Sequence, residues 1–371
     1  MANPLRAALL SLPFCLLSCS PPAKTTHRWF GMDTEFIATV YGGGKSVSAD
    51  SAFARLERES ARLEAVFSDY LPGSDLRRLI GRAGDTLAAP PEIATVLGAA
   101  AEMAAASRGA FDITLHALKA AWGLGSGEGG KIPPDSALSA LMRGNPAFGA
   151  SLDSNPADRP PYRLLEGNRM LILRDSVILD LGGIAKGYTV DRMHALLDSL
   201  GFPDHIVSAG GDMRVGGRKG RDPWVLGIRH PRMPDGLAGT LKLDAPAAVS
   251  TSGDYERYFI REGIRYHHVL DPRTGKPARP WCSVTVLAER GLLADRLTKP
   301  LFILGPERSA DLLKRFGARA VWMRETEDLP GGEPGDRIDG AEAPKRLCYV
   351  ASGGLDGVLA MKGIGACGAA K

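Results

Sequence analysis

The sequence predicts an α+β chain in which helices and short strands are mixed rather than strictly alternating. Two segments of the first third carry apolar residues at helical spacing, whereas after residue 170 the apolar residues fall into short strand-like runs. No regular βαβ succession and no internal repeat is present. Glycine, at 45 of 371 residues, fits many turns and close backbone approaches better than a helical bundle. A hydrophobic content of 44% is enough to bury a large core. The net charge of +4 is small and scattered, which argues against a dedicated nucleic-acid surface.

The first 22 residues, MANPLRAALLSLPFCLLSCSPP, start positive at Arg6 and then turn apolar, too briefly to span a bilayer. Leu16-Leu17-Ser18-Cys19 resembles a bacterial lipobox, in which Cys19 becomes the acylated first residue; a plain secretion signal is the alternative. Residues 20–28 read as a linker. Three cysteines remain beyond the signal, Cys282, Cys348 and Cys367, without CxxC spacing. Cys348 and Cys367 can pair in an oxidising compartment, although spacing alone does not show that they meet.

WFGMDTEFIATVYG, residues 29–42, has partial strand alternation and closes on glycines. Residues 51–67 place Phe53, Leu56, Leu63, Val66 and Phe67 on one helical face. Residues 90–112 read as a second helix, with proline at its start and Gly109 just past its end. Residues 131–161 form a proline- and glycine-rich excursion. MLILRDSVILDLGGIAKG predicts two short strands about a turn, then glycines, then a helix beginning near Ile184 and continuing through 188–200. HIVSAGGDMRVGG is a strand interrupted by paired glycines. Further strands are expected at 224–228, 237–243 and 281–288, and CYVASGGLDGVLAMKG reads as a closing hairpin.

Several of these segments can carry chemistry. In DLGGIAKGYTVDR a strand delivers Asp180, glycines follow, and a helix starts, so an anion or cation can approach the backbone and Lys186 can reach a phosphate. A tight turn explains the same residues. The spacing matches neither a Walker A loop nor GxGxxG. Asp212, after the glycine pair, is either a ligand acceptor or a turn aspartate. His267 and His268 point to opposite faces if extended, so at most one faces a given pocket. No HExxH, zinc-spaced Cys/His cluster or nucleophile elbow is present. In ADRLTKPL, Asp295 and Lys299 stand four apart, the spacing of an ordinary helical salt bridge.

FSDYLPGSDLRRL, SRGAFDITLHALKAAWG, DLGGIAKGYTVDR, SAGGDMRVGG, TSGDYERYF, YHHVLDPRTGKP and ADRLTKPLFILG occur in this order, and together they resemble the ApbE family of FAD:protein FMN transferases. The resemblance implies a T-fold-like body with an accessory α/β portion. It divides the chain into a signal at 1–18, a linker at 19–28 and a catalytic body at 29–371. It implies transfer of FMN from FAD through a phosphoester to a threonine or serine of a membrane or exported redox protein, with AMP released. Related FAD pyrophosphatases, and a non-enzymatic FAD-binding lipoprotein, are the alternatives. A location on the periplasmic face of a bacterial inner membrane, anchored through Cys19, follows from the same resemblance.

By position, the resemblance places Met32, Tyr70, Ala110, Phe111, Asp112, Asp180, Lys186 and Val269 around FAD. It gives magnesium to Gly183, Asp295, Thr298 and Lys299, and proton transfer to His268, with His267 as runner-up. Two departures stand out: Asp33 replaces the usual glycine before Thr34, and Lys299 occupies the position of a threonine ligand. An ammonium cannot ligate a metal while protonated and repels one at close range.

Overall fold

A computed structural model describes residues 22–44, 47–80, 85–125, 129–144, 162–166, 169–172, 178–326 and 346–367. Cys19 and the preceding signal lie outside the described residues, as does most of the excursion at 145–161.

A nine-stranded sheet organises the molecule. Its strands run in the spatial order Lys24–Gly31, Thr34–Tyr41, His205–Ala209, Asp212–Gly216, Ala247–Gly253, Trp281–Ala288, Arg319–Thr326, Arg346–Ala351 and Gly365–Ala366. Every neighbouring pair is antiparallel except the last. Both faces of the central strands are covered, so all eight residues of Trp281–Ala288 are buried instead of alternating. On one face Val249, Leu287, Val321 and Met323 pack on a three-stranded sheet through Trp224, Leu226, Ile228 and Leu241. On the other, Ala248, Val284, Val286, Ala320 and Trp322 meet the helices.

The helix Ala49–Phe67 starts where Ser48 accepts a hydrogen bond from the amide of Ser51, and it buries Phe53, Leu56, Leu63, Val66 and Phe67. The expected second helix spans Pro91–Ala106, with Gly109 at φ +80° beyond it. Two further helices, Ala185–Ser199 and Gly291–Phe316, cross at glycines. A Cβ at Gly187 would stand 2.3 Å from the Gly291 carbonyl oxygen, and one at Gly291 would stand 2.5 Å from that of Gly187. Only bare backbones allow that approach.

Strands at Trp224–Arg229, Leu237–Leu243 and Trp281–Ala288 match the expected positions. Other expectations fail for identifiable reasons. The presumed linker is already strand from Lys24, because residues 24–31 find a full register with Thr34–Tyr41. Of the two strands read in residues 170–180, Arg169–Ile172 is one; among the described residues of the other, 178–180 are irregular, and the Asp180 amide donates to the Ile113 carbonyl. The tail is no hairpin: Arg346–Ala351 joins the large sheet while Leu359–Met361 pairs with Leu237–Leu243 in the small one. Cys348 and Cys367 are disulfide-bonded, joining the last two strands of the large sheet near its edge.

Candidate active site

The hairpin that opens the large sheet turns at Met32 and Asp33, both left-handed at φ 49° and 58°. Aspartate tolerates that conformation better than most residues, so Asp33 can hold it without being a glycine. Its exposed carboxylate is ion-paired with Arg257. Met32 turns inward, and its Sδ accepts a hydrogen bond from Thr189 Oγ1 at 3.4 Å.

Three carboxylates and three ammoniums lie around the turn Gly182–Ile184 that precedes the helix Ala185–Ser199. Asp180 is held by Lys119 and accepts the Gly182 amide at 2.9 Å. Burial alone would raise the Asp180 carboxyl, but Lys119 overrides it and holds the group at about 2. Lys186 lies 3.2 Å from Asp212 and donates to the Gly182 carbonyl at 3.2 Å. Burial opposes its charge, yet Asp212 and Asp295 raise the ammonium above its usual range. Asp212 also accepts from Ser250 Oγ. Burial, and then the Asp295 charge, push its carboxyl up.

Asp295 is fully buried. One oxygen, Oδ1, accepts from Lys299 Nζ at 2.6 Å; the other, Oδ2, accepts from the Gly187 amide at 3.0 Å. Against the cost of burial, Lys299 and Lys186 lower its pKa. Thr298 Oγ1 donates to the Asp295 carbonyl and accepts from Ser252 Oγ, both at 2.8 Å. The Lys299 stem runs alongside Gly183: its Cε lies 3.2 Å, and its Nζ 3.7 Å, from where a Cβ at Gly183 would be.

These contacts decide how well the implied magnesium set fits. Gly183, Asp295, Thr298 and Lys299 do converge, but as a lysine site. Both carboxylate oxygens of Asp295 and the hydroxyl of Thr298 are engaged within the protein, and the fourth member is itself a cation. A hard dication requires several free anionic or neutral oxygens, and these residues do not supply them. As arranged, the four-residue set does not fit magnesium, for a reason of charge. Among the described residues, one trio of His, Cys, Asp or Glu side chains is close enough to share an ion. That trio, His194, Asp198 and His205, starts from the opposite end of the helix that begins at Ala185.

The two histidines separate cleanly. His267 is buried; its Nε2 donates to the Ala278 carbonyl at 2.9 Å, and its Nδ1 accepts from the Val269 amide at 3.3 Å. Burial lowers its pKa to about 4. It is a fixed core residue. His268 is partly buried, and its Nδ1 has no hydrogen-bond partner. Burial and the charges of Lys119, Lys299 and Arg257 push its pKa well below the ordinary histidine value. It is therefore neutral at physiological pH.

The remaining expected FAD residues divide. Tyr70 is exposed, with its ring 6.3 Å from that of His116. Asp112 accepts from the amide and hydroxyl of Thr114, both at 2.7 Å, and burial raises its carboxyl. Ala110, Phe111 and Val269 are buried in the main core cluster, so their side chains back the site rather than present a free surface. Lys119, Ser250, Ser252 and Arg257 were not singled out from the sequence. The i,i+3 spacing of His116 and Lys119 on one short helix was the available signal for the first.

The chain resembles known proteins in sequence and in fold. A FAD:protein FMN transferase of Rhodobacter capsulatus is 34% identical over 83% of this chain, which spans only 56% of that longer relative. One from Vibrio cholerae is 28% identical over 86% of this chain and 93% of its own length. The crystal structure of the ApbE protein of Thermotoga maritima superposes with a TM-score of 0.70 at 30% identity, covering 81% of this chain and 94% of that one. The flavinyl transferase ApbE of Pseudomonas stutzeri gives 0.72 at 26% identity, covering 92% and 98%. The model of the ApbE family matches residues 32–322, and with that extent of sequence and fold in common the chain belongs to the ApbE family.

Proposed function

We propose that this chain is a transferase that moves FMN from FAD to a hydroxyl of a protein acceptor and releases AMP. The observation that carries the reading is the cluster of three lysine–aspartate pairs at the Gly182–Ile184 turn, of which Lys119 and Lys299 lie close enough to act on His268. The helix behind that turn presents its N-terminus, which also favours an anion.

The chemistry follows from those groups. The acceptor oxygen forms a bond to the flavin-side phosphorus, and the bond from that phosphorus to the bridging oxygen breaks. AMP leaves with the bridging oxygen. The His268 ring takes the hydroxyl proton. The low proton affinity of His268 in the free protein arises partly from nearby cations, so an arriving pyrophosphate raises it toward a useful range. Lys119, Lys186 and Lys299 lie where charge develops on the phosphates. Tyr70, exposed beside His116, offers an aromatic plate for the flavin.

The acceptor residue is a threonine or serine of a membrane or exported redox protein, and Cys19 carries the lipid that holds the enzyme on the periplasmic face of the inner membrane. The lipobox at 16–19 supports the anchor, and the Cys348–Cys367 disulfide suits an oxidising compartment. Among the described residues no helix is long and apolar enough to cross a membrane.

Incubation with FAD and a threonine-containing acceptor domain tests the activity. The expected products are AMP and a flavin that stays on the acceptor after denaturation. Free FMN with AMP, and no labelled acceptor, would instead identify a FAD pyrophosphatase; FAD bound but uncleaved would identify a binding protein.

A further inference from the structure

Asp180, Asp212 and Asp295 are each paired with one ammonium, from Lys119, Lys186 and Lys299 respectively. Arg257, the next cation, is paired with Asp33. These three pairs are thus charge-balanced. A site built for a dication carries uncompensated carboxylates that the ion neutralises. Here no such excess stands among these residues, while the ligand of the proposed reaction brings two negative charges on its pyrophosphate.

Lys299 is placed to meet them. Its carboxylate partner is fully buried and fixed from behind by the Gly187 amide, so the ammonium is tethered to one spot. An ammonium has three donors, and Asp295 Oδ1 takes one. The stem passes over Gly183, where the missing side chain leaves it room. Roughly a quarter of the Lys299 side chain remains open to solvent, at 24%. A phosphate arriving at the glycine turn can therefore accept from Nζ without breaking the Asp295 contact.

We propose that Lys299 is the resident counter-cation for the FAD pyrophosphate in this chain, so that the nucleotide binds and reacts without a divalent metal. The inference rests on the FMN-transfer reading for its ligand, and two readouts keep the two apart. The first is equilibrium binding of FAD to the full chain, followed by flavin fluorescence in EDTA and in millimolar magnesium. Wild type binds FAD with affinity equal within about twofold in both, since its counter-cation is covalent. Lys299→Met weakens binding in EDTA by roughly tenfold or more through loss of a charge-assisted contact. Calorimetric titration of the wild type with magnesium alone gives no saturable heat, whereas Lys299→Thr gains magnesium binding. Stoichiometric magnesium binding by the wild type, or loss of its FAD affinity in EDTA, overturns the proposal even if Lys299 variants fail to fold. Failure to bind FAD in either buffer overturns it as well. The second readout is flavin transfer to an acceptor. Transfer that requires magnesium sinks the Lys299 role and keeps the transferase. EDTA-insensitive FAD binding without transfer sinks the transferase and keeps Lys299.

Discussion

The amide of Gly187 donates to Asp295 Oδ2 across 3.0 Å, and this bond exists because two helices touch at glycines. A methyl group on Gly187 would meet the Gly291 carbonyl at 2.3 Å and Asp295 Cβ at 2.6 Å. Both are backbone or first-carbon atoms that cannot swing away. Gly187→Ala therefore forces the helices apart, at a cost of about 1–3 kcal/mol. Thermal unfolding should show a lower Tm, and FAD affinity should fall with it because Asp295 and Lys299 move together. An unchanged Tm would mean that the helix crossing is looser than described.

His268 and His267 make opposite predictions. His268→Ala should lower the transfer rate by about 10²–10⁴ with little change in Tm, as loss of a proton acceptor does. His267→Gln should leave the chemistry largely intact and change stability. The native pKa of His267 is about 4, below the usual 6.5, so the unfolded chain takes up its proton first. Its stabilising share is complete above pH 6.5 and fades as the pH falls toward 4. Denaturant unfolding across that window should be steeper for the wild type than for His267→Gln.

Asp180 follows the same sign at lower pH. Lys119 holds its carboxyl at about 2, against an ordinary 3.8, so the pair stabilises the fold above pH 4 and loses that share as the pH falls toward 2. In Lys119→Met the buried carboxylate loses its counter-charge. Its pKa should then rise above the ordinary value, visible in carboxyl-carbon NMR titration. A titration that stays put would remove Lys119 from its assigned role.

The disulfide between Cys348 and Cys367 closes a separation of 19 residues. Cys367→Ser should cost about 3 kcal/mol by chain entropy. FAD binding should persist, because the bond lies at the edge of the large sheet, whereas Lys119, Lys186 and Lys299 sit on helices. Unfolding curves with and without reductant, paired with flavin titration, separate the two effects.

Much of the fold was legible where one face of an element determines its residues. The helix at Ala49–Phe67 and the strands Trp224–Arg229 and Leu237–Leu243 fall into this group. The tail was misread because sequence neighbours suggest a hairpin, whereas Leu359–Met361 is recruited by a different sheet. At the site, glycine turns and polar motifs located Asp180, Lys186, Asp295 and Lys299. Their pairing was hidden, because Lys119 is 61 residues from Asp180 in sequence and no local pattern couples them. The choice between the histidines likewise depended on which one finds backbone partners, a tertiary fact.

The helix Gly291–Phe316 breaks at Gly305, where φ is 73° and ψ 175°, and Pro306 follows. The carbonyls freed by that break are taken up locally: Trp322 Nε1 donates to Leu301, and Arg308 donates to Ile303 and Leu304. The segment bearing Asp295 and Lys299 is thus a closed unit with its own terminus, and the stretch after Pro306 is a separate rod joined end to end. The joint works as an acoustic break does in a wall. Surface changes at Glu307, Ala310, Asp311 or Lys314 have no continuous hydrogen-bond ladder through which to reach the lysine, whereas Leu312 and Leu313 belong to the common core and must stay.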